Sequence, residues 1–217
     1  MTQLDSQTHG QLMDAVYCKQ RHIYDLTRKY YLLGRDHLIE HLDITDDAVV
    51  LEVACGTGRN LISIAQRYPQ ARLYGIDISS EMLVSARSAI AKNGLSHRIQ
   101  LAQGDACNLS LKQLFDISAA DRVVLSYSLS MIPDWEEALR QAIKVLSRDG
   151  QLHVVDFGNQ DKLPGIFRSI LHSWLARFHV APRLDLQQQM TGLAQKSDRQ
   201  LSFQSLYRDY ARYGMIA

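Results

Sequence analysis

The chain is short of several things, and each shortage removes a class of function. Its three cysteines, Cys18, Cys55 and Cys107, show no CxxC pair and no Cys/His ligand spacing. A disulfide framework and a zinc site are therefore excluded, and reduced thiols with no metal are expected. An excess of one charge is missing as well: 24 Lys and Arg face 23 Asp and Glu, a formal net charge of +1. No global basic field draws the protein to nucleic acid, so no nucleic-acid partner is expected. No uncharged apolar run approaches the roughly 18 residues of a membrane span. The first twenty residues carry Asp5, Asp14 and Lys19 and lack the apolar core of a secretory leader. A cytoplasmic protein is the expectation. Repeats, low-complexity tracts and an obvious linker are absent too. The 217 residues suit one domain with length enough to bury a core.

What is present is alternation. Ala48–Val53 reads as a continuous apolar strand, the pattern of a parallel sheet buried on both faces. Asn60–Tyr68 reads as a helix that stops before Pro69, and Arg72–Ile76 as a strand. Ser79 is placed to cap a helix over Ser80–Lys92, with Glu81 in its first turn and Asn93-Gly94 closing it. Strands follow at Ile99–Ala102 and Arg122–Ser126. Asp134 and Glu137 have capping-box spacing for a helix running to Leu146, which Asp149-Gly150 would end before a strand at Gln151–Phe157. Such a succession predicts a parallel, doubly wound α/β sheet. Ahead of it, helical spacing covers Lys19 to Leu33, Gly34 can act as a C-cap, and Arg35–Leu42 forms a second short helix. Behind it lie expected helices at Leu163–His179 and Asp185–Ala194 and strands at Leu201–Arg208 and Ala211–Ile216. The single domain thus divides into a helical lid (1–45), a core (46–158) and a C-terminal part (159–217).

At the centre is LEVACGTGRNL, Leu51 to Leu61. A strand ends at Val53 and turns through Ala54, Gly56 and Gly58 into a helix, and the small residues let a ligand approach the backbone. A nicotinamide fingerprint reads GxGxxG, whereas this loop reads ExAxGxG with Glu52 inside the strand. Asp77, in LYGIDIS, tips the second strand, where a carboxylate can accept from ribose hydroxyls, and Ile78 and Met82 follow it. Asp105, in QGDACNL, ends the third strand beside Ala106. Singly, each acid would read as a solvated loop residue or a helix cap. Three at successive strand ends, in phase with a glycine loop, read as a cofactor site.

These stretches, with LSYSLSMIPDW and LSRDGQLHVVDF, resemble the class I S-adenosylmethionine-dependent methyltransferases over nearly all of Val49–Gly158. The resemblance implies a Rossmann-like doubly wound sheet of seven strands with the last strand antiparallel. It implies S-adenosylmethionine as cofactor, with Glu52, Ala54, Gly56, Asp77, Ile78, Met82, Asp105, Ala106 and Ser126 as contacts. Many members carry glycine where Ala54 stands, a change expected to have little effect. Target-recognition signatures such as NPPY are absent after the fourth strand, where the chain has SYSL, so base methylation is not expected.

The flanks carry what the core does not. IYDLTRKYYLLGRDHLI (Ile23–Ile39), FRSILHSWLARFHVAPR (Phe167–Arg183) and SLYRDY (Ser205–Tyr210) are similar to the bacterial N-methyltransferases that make betaine lipids. That resemblance implies an amine-bearing lipid acceptor, diacylglyceryl-homoserine. A small soluble acceptor, a quinone-like ring or a non-catalytic cofactor-binding subunit stand as alternatives. An apolar stripe runs from Leu163 to Phe178 with Arg168, His172 and Arg177 off it. It reads first as a crossover helix packed on the sheet and second as a helix in peripheral contact with a membrane. Tyr24 either walls the acceptor pocket by cation–π attraction or packs on the core, and Tyr31 reads as core. Arg35 either pairs with the carboxylate of S-adenosylmethionine or of a homoserine head group, or is an exposed surface arginine. Tyr24 and Tyr127 are the candidates for lining the acceptor site, no general base is identified, and His153 reads as a core histidine.

Overall fold

The computed structural model describes residues 32–161, 165 and 180–217. Tyr24, Tyr30, Tyr31, the expected helix from Lys19 and the stripe from Leu163 to Phe178 lie outside them, Gly165 excepted. Chain order is α1 (Arg35–Glu40), β1 (Val49–Val53), α2 (Arg59–Arg67), β2 (Arg72–Asp77), α3 (Ser80–Lys92), β3 (Ile99–Gln103) and α4 (Leu111–Phe115). It continues with β4 (Ala120–Ser126), α5 (Trp135–Lys144), β5 (Leu146–Phe157), α6 (Leu186–Lys196), β6 (Leu201–Leu206) and β7 (Ala211–Ile216).

The strands form one seven-stranded sheet in the order β3-β2-β1-β4-β5-β7-β6. Strands β1 to β5 pair in parallel, and β7 runs antiparallel to both β5 and β6, as the resemblance implies. All five residues of β1 are buried, because helices cover both faces of the sheet. Alternation along the strands divides the core. Val50 and Val124 pack with Leu38, Leu61, Ile64, Leu83 and Ile90 of α1 to α3. Leu51, Val53, Val123 and Leu125 pack with Trp135 and Leu139 of α5 and Leu186 and Met190 of α6.

Several local expectations hold to the residue. Ser79 Oγ accepts from Met82 N–H at 3.2 Å and caps α3, whose last residue Lys92 is followed by the C-cap Asn93. Others are corrected. Asp134 is the N-cap of α5 without a side-chain bond, and Glu137 turns to Arg140 and Gln141 at 2.7 Å each. The capping box does not form, because those cation and amide donors lie one turn ahead on the same helix face. Helix α5 also ends at Lys144 and not at Leu146: Leu146 already pairs with Ala120, and Asp149-Gly150 falls within β5. A register shift between Ala120 and Arg122 absorbs the irregular start of that strand. The short helix α4 carries no periodic signal long enough to read.

Register sets the working edge. Val53 lies beside Ile76 on one side and Leu125 on the other, so β1, β2 and β4 end level with one another. Strand order reverses at β1, and its carboxyl end is the crevice where doubly wound sheets bind ligands.

At the other end of β5, Gly158 meets the turn between β6 and β7. Gly158 N–H donates to Tyr210 O at 2.9 Å, and a Cβ built on it would stand 2.2 Å from Asp209 O. That neighbour is backbone and cannot swing aside. Gly158→Ala should lower stability by about 2 kcal/mol, the cost of forcing atoms into a filled space. Urea denaturation checks this, with Gly192→Ala, where nothing lies within 4 Å of the added carbon and the backbone is not left-handed, as the uncrowded reference.

Candidate cofactor site

The glycine loop reverses the chain through three left-handed residues: Ala54 at φ 57°, Gly56 at 54° and Gly58 at 74°. Glycine takes that conformation freely, whereas alanine is strained there by about 1 kcal/mol. Ala54 therefore departs from the common glycine at a conformational cost, and its small methyl still leaves room at the loop. Cys55 N–H donates to Ile76 O at 2.8 Å, sewing the loop to β2.

Asp77 carries the rest of the loop. Its Oδ2 accepts from Gly56 N–H at 2.8 Å and its Oδ1 from Ser79 N–H at 2.9 Å. The carboxylate expected to face a ribose is thus also the strut of the glycine turn. Asp105 is held by its own turn, accepting from Cys107 N–H at 2.8 Å.

A cavity of about 480 Å³ opens over this edge. Its walls include Leu32 and Arg35 from the start of α1, Glu52, Ala54 and Gly56 from β1 and the loop, Asp77 and Ile78, and Ser126 to Ser128 after β4. A smaller slot of about 40 Å³ adjoins it, lined by Gly104 to Cys107 and sharing Ala54, Asp77, Ile78 and Ile132 with the first. The structure therefore gathers Arg35, Glu52, Ala54, Gly56, Asp77, Ile78, Asp105, Ala106 and Ser126 around one continuous depression. Met82 is not brought there: it is buried in α3 and lines neither cavity.

Two further placements sharpen the reading. Tyr127 reaches the cavity wall but is no candidate base. It is 4% exposed, its backbone is left-handed at φ 54°, and its hydroxyl donates to Leu33 O. Burial pushes its ionisation well above the usual phenol range, with the nearby Asp156 charge adding to the effect. His153 is a core residue, as expected: its nitrogens bond with the Tyr213 hydroxyl at 2.7 Å and Gln151 Oε1 at 3.1 Å. Burial drives its pKa down to about 3, so it stays neutral.

The charge balance centres on Glu52. Its Oε1 accepts from Asn60 Nδ2 at 2.7 Å, while Oε2 is buried without a partner. Asn60 Oδ1 beside it also lacks one, as do the hydroxyls of Ser126 and Ser128. Burial, opposed by the Asn60 hydrogen bond and then by the Arg35 charge, raises the Glu52 pKa to about 8. Asn60 and Ser128 were not identified from sequence. Asn60 stands eight residues after Glu52, in the first turn of α2, and only the folded loop reveals that the two meet.

Comparison with known proteins decides the family. A family model described as a methyltransferase domain matches residues 44–202. The chain belongs to that family. Among curated relatives, it is 31% identical over 140 residues to demethylmenaquinone methyltransferase of Lactobacillus johnsonii, covering 61% of this chain and 55% of that protein. The protein of that name from Deinococcus radiodurans is 26% identical over 185 residues, covering 83% and 73%. The chain thus spans a little over half the length of the first of these relatives. An O-methyltransferase family 2 protein of Planctomyces limnophilus, solved with apigenin, superposes with a TM-score of 0.67 at 21% identity, covering 89% of this chain and 60% of that one. A chain from the complex of the Haloferax volcanii Trm112 methyltransferase activator with a methyltransferase reaches 0.71 at 13% identity, covering 94% and 96%. These two likenesses establish the fold.

The family implies S-adenosylmethionine as cofactor, and the residues present fit it. Two buried oxygens without a hydrogen-bond partner, Glu52 Oε2 and Asn60 Oδ1, fit a donor-rich cation such as an α-ammonium group once Glu52 is ionised. A ligand that merely used Asp77 would leave the empty protein indifferent to its loss. Because Asp77 also holds two backbone N–H groups, Asp77→Ala should lower the melting temperature of the ligand-free protein as well as weaken S-adenosylhomocysteine binding. Each deserted donor costs about 1–3 kcal/mol if it stays buried. Differential scanning fluorimetry and calorimetry together check both parts.

Proposed function

We propose that this chain transfers a methyl group from S-adenosylmethionine to the amine of a lipid-linked amino acid. The observation that carries the transfer itself is the pair of unpartnered oxygens on Glu52 and Asn60 in the cavity wall. In this reading those oxygens would receive the ammonium of the cofactor's amino-acid tail, with Arg35 near its carboxylate. Asp77 would accept from the ribose, and Asp105 and Ala106 would face the adenine in the smaller slot. S-adenosylmethionine, when bound, supplies an electrophilic methyl carbon on a sulfonium whose departure leaves a neutral thioether. The chain's own contribution is proximity and alignment. Its described residues offer no evident general base: Tyr127 is engaged with Leu33, and Glu52 lies on the side of the amino-acid tail. An acceptor amine would have to enter unprotonated, and the N–H proton that its nitrogen sheds after methylation would pass to solvent.

Support for the amine acceptor comes from the flanking stretches Ile23–Ile39 and Ser205–Tyr210, which resemble the betaine-lipid N-methyltransferases. A peripheral approach to the membrane's inner face belongs to the same reading. No helix among the described residues is long and apolar enough to cross a membrane, so such a lipid would be met at its surface. A second reading, methylation of a quinone-like ring, draws on the names of the curated relatives. The longer of those alignments covers 185 residues, so it takes in flanking sequence as well as the core.

The acceptor test is direct. With labelled S-adenosylmethionine, vesicles carrying diacylglyceryl-homoserine should acquire label, at a rate that rises with pH as the amine deprotonates. Reduced demethylmenaquinone should not. Label entering the quinone while the amino lipid stays unmethylated overturns the amine assignment and leaves the methyltransferase reading standing.

A further inference from the structure

The loop after β4 walls both cavities of the site. From Ser128 to Pro133 it contributes Ser128, Met131 and Ile132 to the large cavity, and Ile132 and Pro133 to the small slot. Ile132 is the loop residue common to both. Inside the loop, two bonds close a turn: Met131 N–H at 3.0 Å and Ile132 N–H at 3.1 Å both donate to Ser128 O. Further bonds reach it from outside.

From beneath, the buried Asp156 accepts from Ser130 N–H at 3.0 Å. From the far side come residues Ala181 to Arg183, which lead into α6. Ala181 N–H donates to Ser130 O at 2.9 Å. Arg183 Nε donates to Leu129 O at 2.9 Å and its Nη2 to Ile132 O at 2.8 Å. The same guanidinium lies over the Trp135 ring, 5.6 Å from its centroid, at the first residue of α5. One planar group therefore spans both ends of the loop and rests on the helix that follows it. Lysine cannot reproduce this, since a point-like ammonium on a flexible stem has neither the fork nor the flat face.

We propose that Arg183 is the positioning residue of the cofactor slot, holding Ile132 where it walls the adenine end through bonds to the Leu129 and Ile132 carbonyls. The inference rests on the reading that this slot takes the cofactor. Arg183 lines neither cavity; it acts through the loop, at a distance from any ligand atom. Its effect should therefore be confined to the part of the ligand that Ile132 touches.

Two ligands separate the ends of the site. S-adenosylhomocysteine occupies both the tail and the adenine regions, and adenosine lacks the amino-acid tail. Arg183→Lys should weaken both by a similar factor, about tenfold for a wall displaced by a fraction of an ångström. Glu52→Gln should weaken S-adenosylhomocysteine and spare adenosine. In the lysine variant, hydrogen exchange should speed up at residues 128–134 and stay unchanged at the glycine loop. Arg183→Gln, which keeps a donor for one carbonyl, should fall between wild type and Arg183→Ala. If the lysine variant melts earlier yet binds both ligands with wild-type affinity, Arg183 only stabilises the fold and the proposal is overturned. Loss of S-adenosylhomocysteine affinity with adenosine unaffected also overturns it. A wild-type protein that binds neither ligand removes the cofactor reading, and this inference with it.

Discussion

A carboxyl group buried in the first strand of the sheet, with one oxygen unanswered, is the constraint around which the site is arranged. Glu52 stands where five consecutive buried residues would otherwise favour an aliphatic side chain. Ionised in that setting, the carboxylate would lose more hydration than the Asn60 amide, the Arg35 charge and the Leu61 backbone N–H return. The protein answers this in the empty state with the proton: burial lifts the group to about 8, above the neutral range. An arriving cation would reverse the balance, since attraction to the charged form outweighs the desolvation that opposed it. Sites that hold a destabilised group for a ligand are also where pKa values depart furthest from their ordinary range.

Beyond that carboxyl, loops at both edges of the sheet are fixed in part by side chains bonding to backbone, and those tied by Asp77 and Asp156 wall the site. Carboxylates take the orphan N–H groups: Asp77 those of Gly56 and Ser79, Asp156 that of Ser130, and Asp209 that of Asn159 at 3.0 Å. Guanidinium groups take the carbonyls. Arg98 binds those of Ala65, Tyr68 and Ala71 at the end of α2, and Arg122 those of Leu42 and Asp43 ahead of β1. Arg199 does the same for Ser147, Arg148 and Gly150 at the irregular start of β5. Five donors on one rigid plane suit this task, and these three arginines brace the amino edge of the sheet, away from the cavity. A net charge near zero conceals this internal use of charge entirely.

How much of this was legible beforehand divides along physical lines. The strands of the core, the glycine loop and the acids at its edge were readable, because hydrophobic period and turn chemistry are local properties. The cap at Ser79 was readable for the same reason. The expected capping box at Asp134 was not realised, since its partner Glu137 had nearer donors on its own helix. The end of α5 was misplaced because Asp149-Gly150 looks like a helix stop, while pairing across to Ala120 draws Leu146 into the sheet. Tyr127, read from its place at the end of β4 as a lining residue, does line the cavity, but its bond to Leu33 crosses 94 residues of sequence and could not be read beforehand. Asn60 and Arg183 were invisible in the same way, as their partners lie in other elements. Met82 followed the acidic strand end in sequence, but the helix turns it into the core.

The central claim is that the Glu52 carboxyl, protonated in the empty cavity, ionises to receive the ammonium of the cofactor's tail. Calorimetry of S-adenosylhomocysteine binding at pH 7 in buffers of different ionisation enthalpy counts the protons exchanged. With the pKa raised in the empty site and pulled down by a bound cation, the account predicts release of nearly one proton. That release should fade as the pH passes above about 8, and Glu52→Gln should abolish it. Binding heats that do not depend on the buffer, or a proton release that survives in the glutamine variant, would contradict it.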